Sequence, residues 1–250
     1  MSDFAQTLKT WRAVRRYSQL DLALEADISG RHLSFLETGR SRPSREMVTR
    51  LGDALQLPLD ARNQLLTHAG FAARYAGRNW TDADMAPIRS AVERMLSSHM
   101  PYPGIAVDRL WCIREANAAA LALFGMLGVG VGDSLIDLTM SGTLEAVVEN
   151  WPEVAHHTAK RLRVESLAQG GVPELDRAIA YLSKVDGYTE RGSNPVIPTI
   201  FRQGDLRLSM FSTLAQFGTP EDVTLDDLRI ELFFPMDEVT AIALETMAGA

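Results

Sequence analysis

Apolar residues recur at three- and four-residue spacing through the first part of the chain: Phe4, Leu8, Trp11; Leu20, Leu22, Ala23; Leu33, Leu36; Met47, Val48, Leu51, Leu55; Leu65, Leu66. Such spacing puts them on one face of a helix. The interruptions are chemically marked. Ser18, Ser29 and Ser44 each precede a periodic run, where a hydroxyl can accept from the free amides of a first helical turn. Gly39 falls where a helix would end in a left-handed residue. The pattern predicts five short helices between residues 4 and 70 and no strand. Residues 71–84, FAARYAGRNWTDAD, are aromatic and polar without a period and read as a linker.

The period then changes. GIAVDRLWCIREAN reads as two short strands turning at Asp108-Arg109, and EANAAALALFG as an alanine-rich helix ending at Gly125. Residues 143–168 and 174–185 read as helices. Three strands follow, VIPTIFR, LRLSMFSTLAQF and LRIELFF, the first pair joined by a turn at Gln203-Gly204-Asp205. Met236-Asp237 opens a last helix. Strands, then helices, then a run of antiparallel strands predict an α+β domain. The expected organisation is an all-α N-terminal domain over 1–72, a linker over 73–84 and an α+β domain over 85–250.

Charge sharpens this division. The whole chain of 250 residues carries a formal charge of −7, which spread evenly would repel a polyanion. Residues 1–78, however, hold 12 Lys and Arg against 8 Asp and Glu, so the excess of acid lies entirely beyond them. A single cysteine, Cys112, excludes a disulfide framework and a cysteine-based zinc site; among Leu110, Trp111 and Ile113 it reads as a packed thiol. No uncharged apolar stretch approaches the roughly 18 residues of a membrane span, and MSDFAQTLKTWRAVRR lacks the apolar centre of a secretory signal. A cytoplasmic protein with no membrane partner is expected.

RYSQLDLALEADISGRHLSFLETGR has the layout of a helix-turn-helix: a helix over 19–26, a turn at Asp27-Ile28 and a second helix from Ser29 to about Thr38. Leu22, Ala23, Ile28, Leu33 and Leu36 would hold the pair together. Gly30, Arg31, His32, Ser34 and Phe35 would then face outward, where a helix in the major groove meets base edges. Arg31 suits guanine, and Gly30 lets the backbone come close. Charge clusters are usually solvated surface, but Arg40, Arg42 and Arg45 lie on the loop after this helix, where phosphate contacts fix register. Ser18, Gln19 and Ser44, at helix starts, join that phosphate set.

The run Ser18, Gln19, Leu22, Ala23, Ser29, Leu36, Glu37, Gly39 and Pro43 resembles the Xre family of helix-turn-helix regulators. The resemblance implies that Gln19 meets a phosphate and that Glu37 pairs with Arg12 to brace the unit. It also implies glycine at the turn, where this chain has Asp27, a residue that tolerates left-handed geometry. The wording RHLSFLETGRSRPSREM, with PYPGIAVDRLW, NWPEVA and GTPEDVTLDDLRIELFFPMDEVTA downstream, is similar to the MmyB-like transcription regulators over nearly the whole chain. That resemblance implies a PAS-like C-terminal domain binding a small apolar ligand such as a fatty acid. A repressor acting on an operator as a homodimer is expected, because one helix-turn-helix reads only a few base pairs and two copies supply the specificity. Candidate pocket residues are Trp111, Ile113, Phe124, Leu135, Trp151, Leu182, Ile200, Phe201, Met210, Phe211, Leu214 and Phe233, each of which would serve equally well as core.

Other chemistry is weakly signalled. Adjacent His156 and His157 on a helix point about 100° apart and have no third ligand at metal spacing. Gly128, Gly130 and Gly132 lack the spacing and lysine of a phosphate loop. No nucleophile or acid–base constellation and no cofactor is expected, so an enzyme is the weaker reading. The remaining alternative is a DNA-binding antitoxin or interaction protein whose C-terminal domain is only a dimerisation or partner module.

Overall fold

The computed structural model describes residues 3–189 and 195–249. They form two compact units: 3–77 with 166–172 and 220–226, and 78–165 with 173–189, 195–219 and 227–249.

The first unit is built on five helices, α1 (Asp3–Val14), α2 (Gln19–Glu25), α3 (Gly30–Glu37), α4 (Arg45–Ala54) and α5 (Leu59–His68). Their apolar stripes meet in one core that includes Phe4, Leu8, Trp11, Leu22, Leu33, Leu36, Leu51, Leu55 and Leu65. Ser18, Ser29 and Ser44 all cap as the pattern predicts, accepting from the backbone amides of Asp21, His32 and Met47. Asp21 returns the interaction by accepting from the Ser18 amide, and the Ser18 hydroxyl first and the Ser18 amide second, both interacting with its carboxyl, hold that carboxyl below its ordinary pKa. Gly39 has φ 74°, the left-handed conformation that ends α3. Residues 166–172 pack within this unit: a Cβ on Gly170 would stand 2.6 Å from the Trp11 ring, so the tight approach there requires glycine.

The second unit is α+β. Its helices are α6 (Ala86–Ser98), α7 (Ala118–Gly125), α8 (Leu135–Met140), α9 (Thr143–Val147), α10 (Trp151–Ala168), α11 (Pro173–Leu182) and α13 (Glu238–Gly249), with α12 (Val223–Asp227) falling at the unit boundary. Its strands are β1 (Gly104–Val107), β2 (Ile113–Ala116), β3 (Thr199–Gln203), β4 (Leu206–Gln216) and β5 (Arg229–Pro235), in the order β2-β1-β5-β4-β3, every pair antiparallel. This is the α+β antiparallel architecture expected from the pattern.

Strand alternation sorts the sheet's faces. Ile230 and Leu232 share a cluster with Val92, Leu96 and Ala106 on one face. On the other, Phe201, Leu208, Met210 and Phe233 cluster with Leu123 and Leu244. Buried Asn117 ties the pieces together: its Oδ1 accepts from the amides of Gly104 and Ala120, and its Nδ2 donates to the carbonyls of Leu96 and Tyr102.

Two expectations are corrected. The single helix over 143–168 is two, because Val148 turns extended and bridges Phe201. Pro152 then sits within the first turn of α10, where its missing amide costs nothing. The first of the three late strands begins at Thr199 rather than Val196, since Pro198 has no amide to donate to a ladder.

Candidate nucleic-acid interface and ligand pocket

Three buried residues orient α3. Leu33, Leu36 and Glu37 have no exposed surface, and their spacing leaves the opposite face to solvent. Glu37 accepts from Arg12 Nε at 2.6 Å and Nη2 at 3.1 Å and from Gln19 Nε2 at 2.7 Å. The Glu37 hydrogen bond raises the Arg12 pKa against the opposing effect of burial. A buried carboxylate satisfied by three charged or amide donors keeps α1, α2 and α3 in one arrangement. Gln19, assigned by resemblance to phosphate, thus has its amide on Glu37.

On the outer face Arg31 is exposed, and Gly30, His32, Ser34 and Phe35 are half-buried. Space above Gly30 is open. The Arg31 guanidinium lies 5.3 Å from the centre of the Phe35 ring, a cation–π contact that preorders the side chain. The turn before α3 takes Asp27 at φ 51°, the left-handed geometry expected there. Arg50 of α4 donates to the Asp27 carbonyl; as an exposed base beside the turn, it is an addition to the sequence-derived set. In the loop after α3, Arg40 and Arg42 are exposed. Arg45, expected on this loop, is the first residue of α4 and also exposed; its guanidinium lies over the Phe71 ring and donates to the Ala72 carbonyl. The hydroxyls of Ser18 and Ser44 are engaged as caps.

The second unit contains a cavity of about 240 Å³. Its apolar walls include Trp111, Phe124, Leu135, Leu138, Leu144, Val148, Val154, Ile197, Phe201 and Phe233, and its polar lining includes Thr139, His157, Thr158, Arg161, Thr199, Ser212 and Glu231. Among the sequence candidates, Trp111, Phe124, Leu135, Phe201 and Phe233 therefore line it. Ile113, Trp151, Leu182 and Met210 are buried elsewhere in the core. Ile200 lies off the lining, its carbonyl accepting from the Glu149 amide. Phe211 stacks on Phe234, and Leu214 is largely exposed.

One end of the cavity is a charged network that sequence reading missed. Arg161 Nη1 donates to Glu231 Oε1 at 3.0 Å, Nε donates to Glu165 Oε1 at 3.1 Å, and the guanidinium lies 4.3 Å from the centre of the Trp111 ring. Trp111 Nε1 donates to Glu165 Oε2, and the Ser212 hydroxyl to Glu231 Oε1. Burial lowers the Arg161 pKa, but Glu231 and then Glu165 overcome it and leave it raised. Trp111 reaches this position at φ 60°, unusual for an aromatic residue. Asp108 holds the loop there by accepting from the Leu110 and Cys112 amides, while its carbonyl accepts from the Trp111 amide. The missed signal was Glu231 itself: a charge in RIELFF, in register with Phe233 rather than with the polar edge.

Cys112 is half-buried, and burial followed by Asp108 pushes its thiol pKa up, away from nucleophile chemistry. His156 stacks on Tyr188, whose hydroxyl lies 3.3 Å from His157 Nε2. Among the described residues no cluster of His, Cys, Asp or Glu could hold a metal, and no helix is long and apolar enough to cross a membrane.

A capped helix-turn-helix and, in the same chain, an α+β unit with an open, largely apolar cavity define a transcription regulator with a DNA-binding and a ligand-binding domain. The chain belongs to the MmyB-like transcription regulator family: residues 88–247 match its ligand binding domain, and residues 3–65 match a helix-turn-helix domain. No curated protein matches the chain.

Proposed function

We propose that this protein is a sequence-specific repressor that binds its operator as a homodimer and responds to a small apolar ligand of fatty-acid-like chain. In this reading residues 1–72 bind DNA, 73–84 link, and 85–250 bind ligand and form the dimer. The observation that carries the DNA side is the outward face of α3. Arg31, with His32, Ser34 and Phe35, meets base edges; Arg40, Arg42, Arg45 and the starts of α2 and α4 at Ser18, Gln19 and Ser44 approach phosphates. A single module reads few base pairs, so two copies about 34 Å apart, one helical turn, supply the rest of the specificity.

The ligand side is supported by a cavity of about 240 Å³ with mostly hydrocarbon walls and one polar end, the usual composition of a small-molecule site. Occupancy changes operator affinity only by as much as the ligand prefers one arrangement of the dimer over another. The test is to select operators from random duplex DNA and measure the operator Kd by anisotropy while titrating medium-chain acyl compounds. A shift of about fivefold or more in Kd is expected. An unchanged Kd despite demonstrated binding removes the sensing mechanism and leaves the DNA reading intact.

A further inference from the structure

Residues 116–132, which include α7, contain no Asp, Glu, Lys or Arg, in a chain whose excess of acid lies beyond residue 78. Leu123 of α7 and Leu244 of α13 are buried in one cluster with Leu208 and Met210 of β4, and the two helices lie against each other. Their opposite sides therefore look outward together. Leu121 stands two residues from Leu123, and Ile242 two residues from Leu244, which turns each about 200° away from the core. Leu121 and Met126 are 45% and 44% exposed, and Val239 and Ile242 are 73% and 56% exposed. Single exposed apolar side chains are ordinary, but a patch spread over two adjoining helices marks a surface that meets a partner.

Resting on the reading of the protein as a homodimer formed through its C-terminal unit, we infer that the outer face of α7 and α13 is where a second copy of this chain sits. A two-fold interface brings a patch against itself, so each charge near its centre meets its own sign. In an acidic unit that requirement selects a face with an uncharged centre, and α7 supplies one. Glu238 and Glu245 are exposed on α13, but their seven-residue spacing puts both on one flank of the helix, beside Val239 and Ile242 rather than between them. There they belong to the polar rim that surrounds a dry centre. A standard interface buries about 800 Å² per partner, so the apolar patch forms its core and the helix flanks the remainder. The open groove along α6, whose Val92 and Leu96 pack on the other face of the sheet, is lined by Arg94 and His99 as well as Met95 and Leu232. A copy meeting itself there would set cation against cation.

Sedimentation of the full-length protein over a range of about 0.1 to 50 μM reads the assembly and its dissociation constant. Leu121→Glu and Ile242→Glu each place a good helix former at an exposed helical position, so the fold should hold, which thermal unfolding checks. Each sets a carboxylate against its own copy and should raise the dimer dissociation constant at least about tenfold. Met95→Glu, at a comparably exposed position of α6, should leave it unchanged. Leu121→Gln and Ile242→Gln serve if a Glu variant fails to unfold cooperatively, and should weaken the dimer severalfold. Folded variants that dimerise as tightly as the unaltered protein, or dissociation by Met95→Glu alone, overturn the inference while leaving the homodimer. A monomer over the whole range overturns the homodimer reading and the inference with it. Flotation of the unaltered protein with phosphatidylcholine vesicles, abolished by Leu121→Glu while sedimentation is unchanged, assigns the face to a lipid surface and also overturns the inference.

Discussion

Glu37 has no surface exposed to water and satisfies donors from two other helices, so its replacement tests packing rather than DNA contact. Glu37→Ala should cost about 3 kcal/mol, because it strands the partly buried Arg12 guanidinium and removes the acceptor of the Gln19 amide, and urea unfolding would measure the loss. The outer face should behave in the opposite way, leaving stability nearly unchanged. Arg31→Ala should relax base preference, read by competition between operator and single-base variants. Arg42→Ala should weaken binding to all sequences alike and lower the log–log salt slope by about one. Equal effects of the two substitutions would contradict the division between base and phosphate contacts. Glu37 was legible as structural through the family resemblance; that Gln19 joins it was not, because the bond depends on how α2 lies against α3.

At the level of elements, local chemistry sets the boundaries. Asp27 stands at φ 51° with its side chain fully exposed, so Asp27→Gly should be neutral to about 1 kcal/mol stabilising, whereas Asp27→Val should cost about 1–2 kcal/mol; thermal unfolding separates them. Asn117 joins the end of α6, β1 and the start of α7 through four hydrogen bonds. Asn117→Ala should therefore cost about 2–3 kcal/mol, more than an ordinary cap, by leaving buried backbone groups unpaired. Acid sensitivity follows from the caps. The Thr240 hydrogen bonds hold Asp237, and the Ser18 hydrogen bonds hold Asp21, below the ordinary carboxylate range. Their folded pKa values are depressed, so their contribution is complete above the unfolded value of about 3.9 and is lost as pH falls through the folded value. The part of the stability that these two caps supply should be lost in that acidic window, and Asp21→Asn should flatten part of the decline. The break between α9 and α10 was not legible, since 143–168 keeps a helical composition throughout; only the bridge from Val148 to Phe201 draws the chain out of the helix.

For the whole molecule, charge and, in the proposed dimer, symmetry govern binding to DNA. The net charge of −7 misleads because the first 78 residues hold the excess of base, and operator affinity should fall steeply with added salt despite the acidic total. Dimerisation should appear as doubling of the mass in sedimentation at micromolar concentration. Selected operators should be palindromes with half-sites about one helical turn apart; a non-repeating selected site with a monomeric protein would remove the dimer.

The sequence alone determined the five short helices, three of them capped by serine, the outward face of α3 and the antiparallel α+β character of the remainder. Each of these is written within a turn or a strand, in spacings of two, three or four residues and in the hydroxyl or glycine at an end. It could not separate pocket from core. Phe124 lines the cavity and Met210 fills the core, yet both are large apolar residues in periodic elements, and which one faces a space depends on how every neighbour packs. Nor could it assemble Trp111, Arg161, Glu165, Ser212 and Glu231, which come from a loop, a helix and two strands. Charges brought together from such separations interact strongly only once the fold has removed water from among them, and the tertiary structure alone decides that.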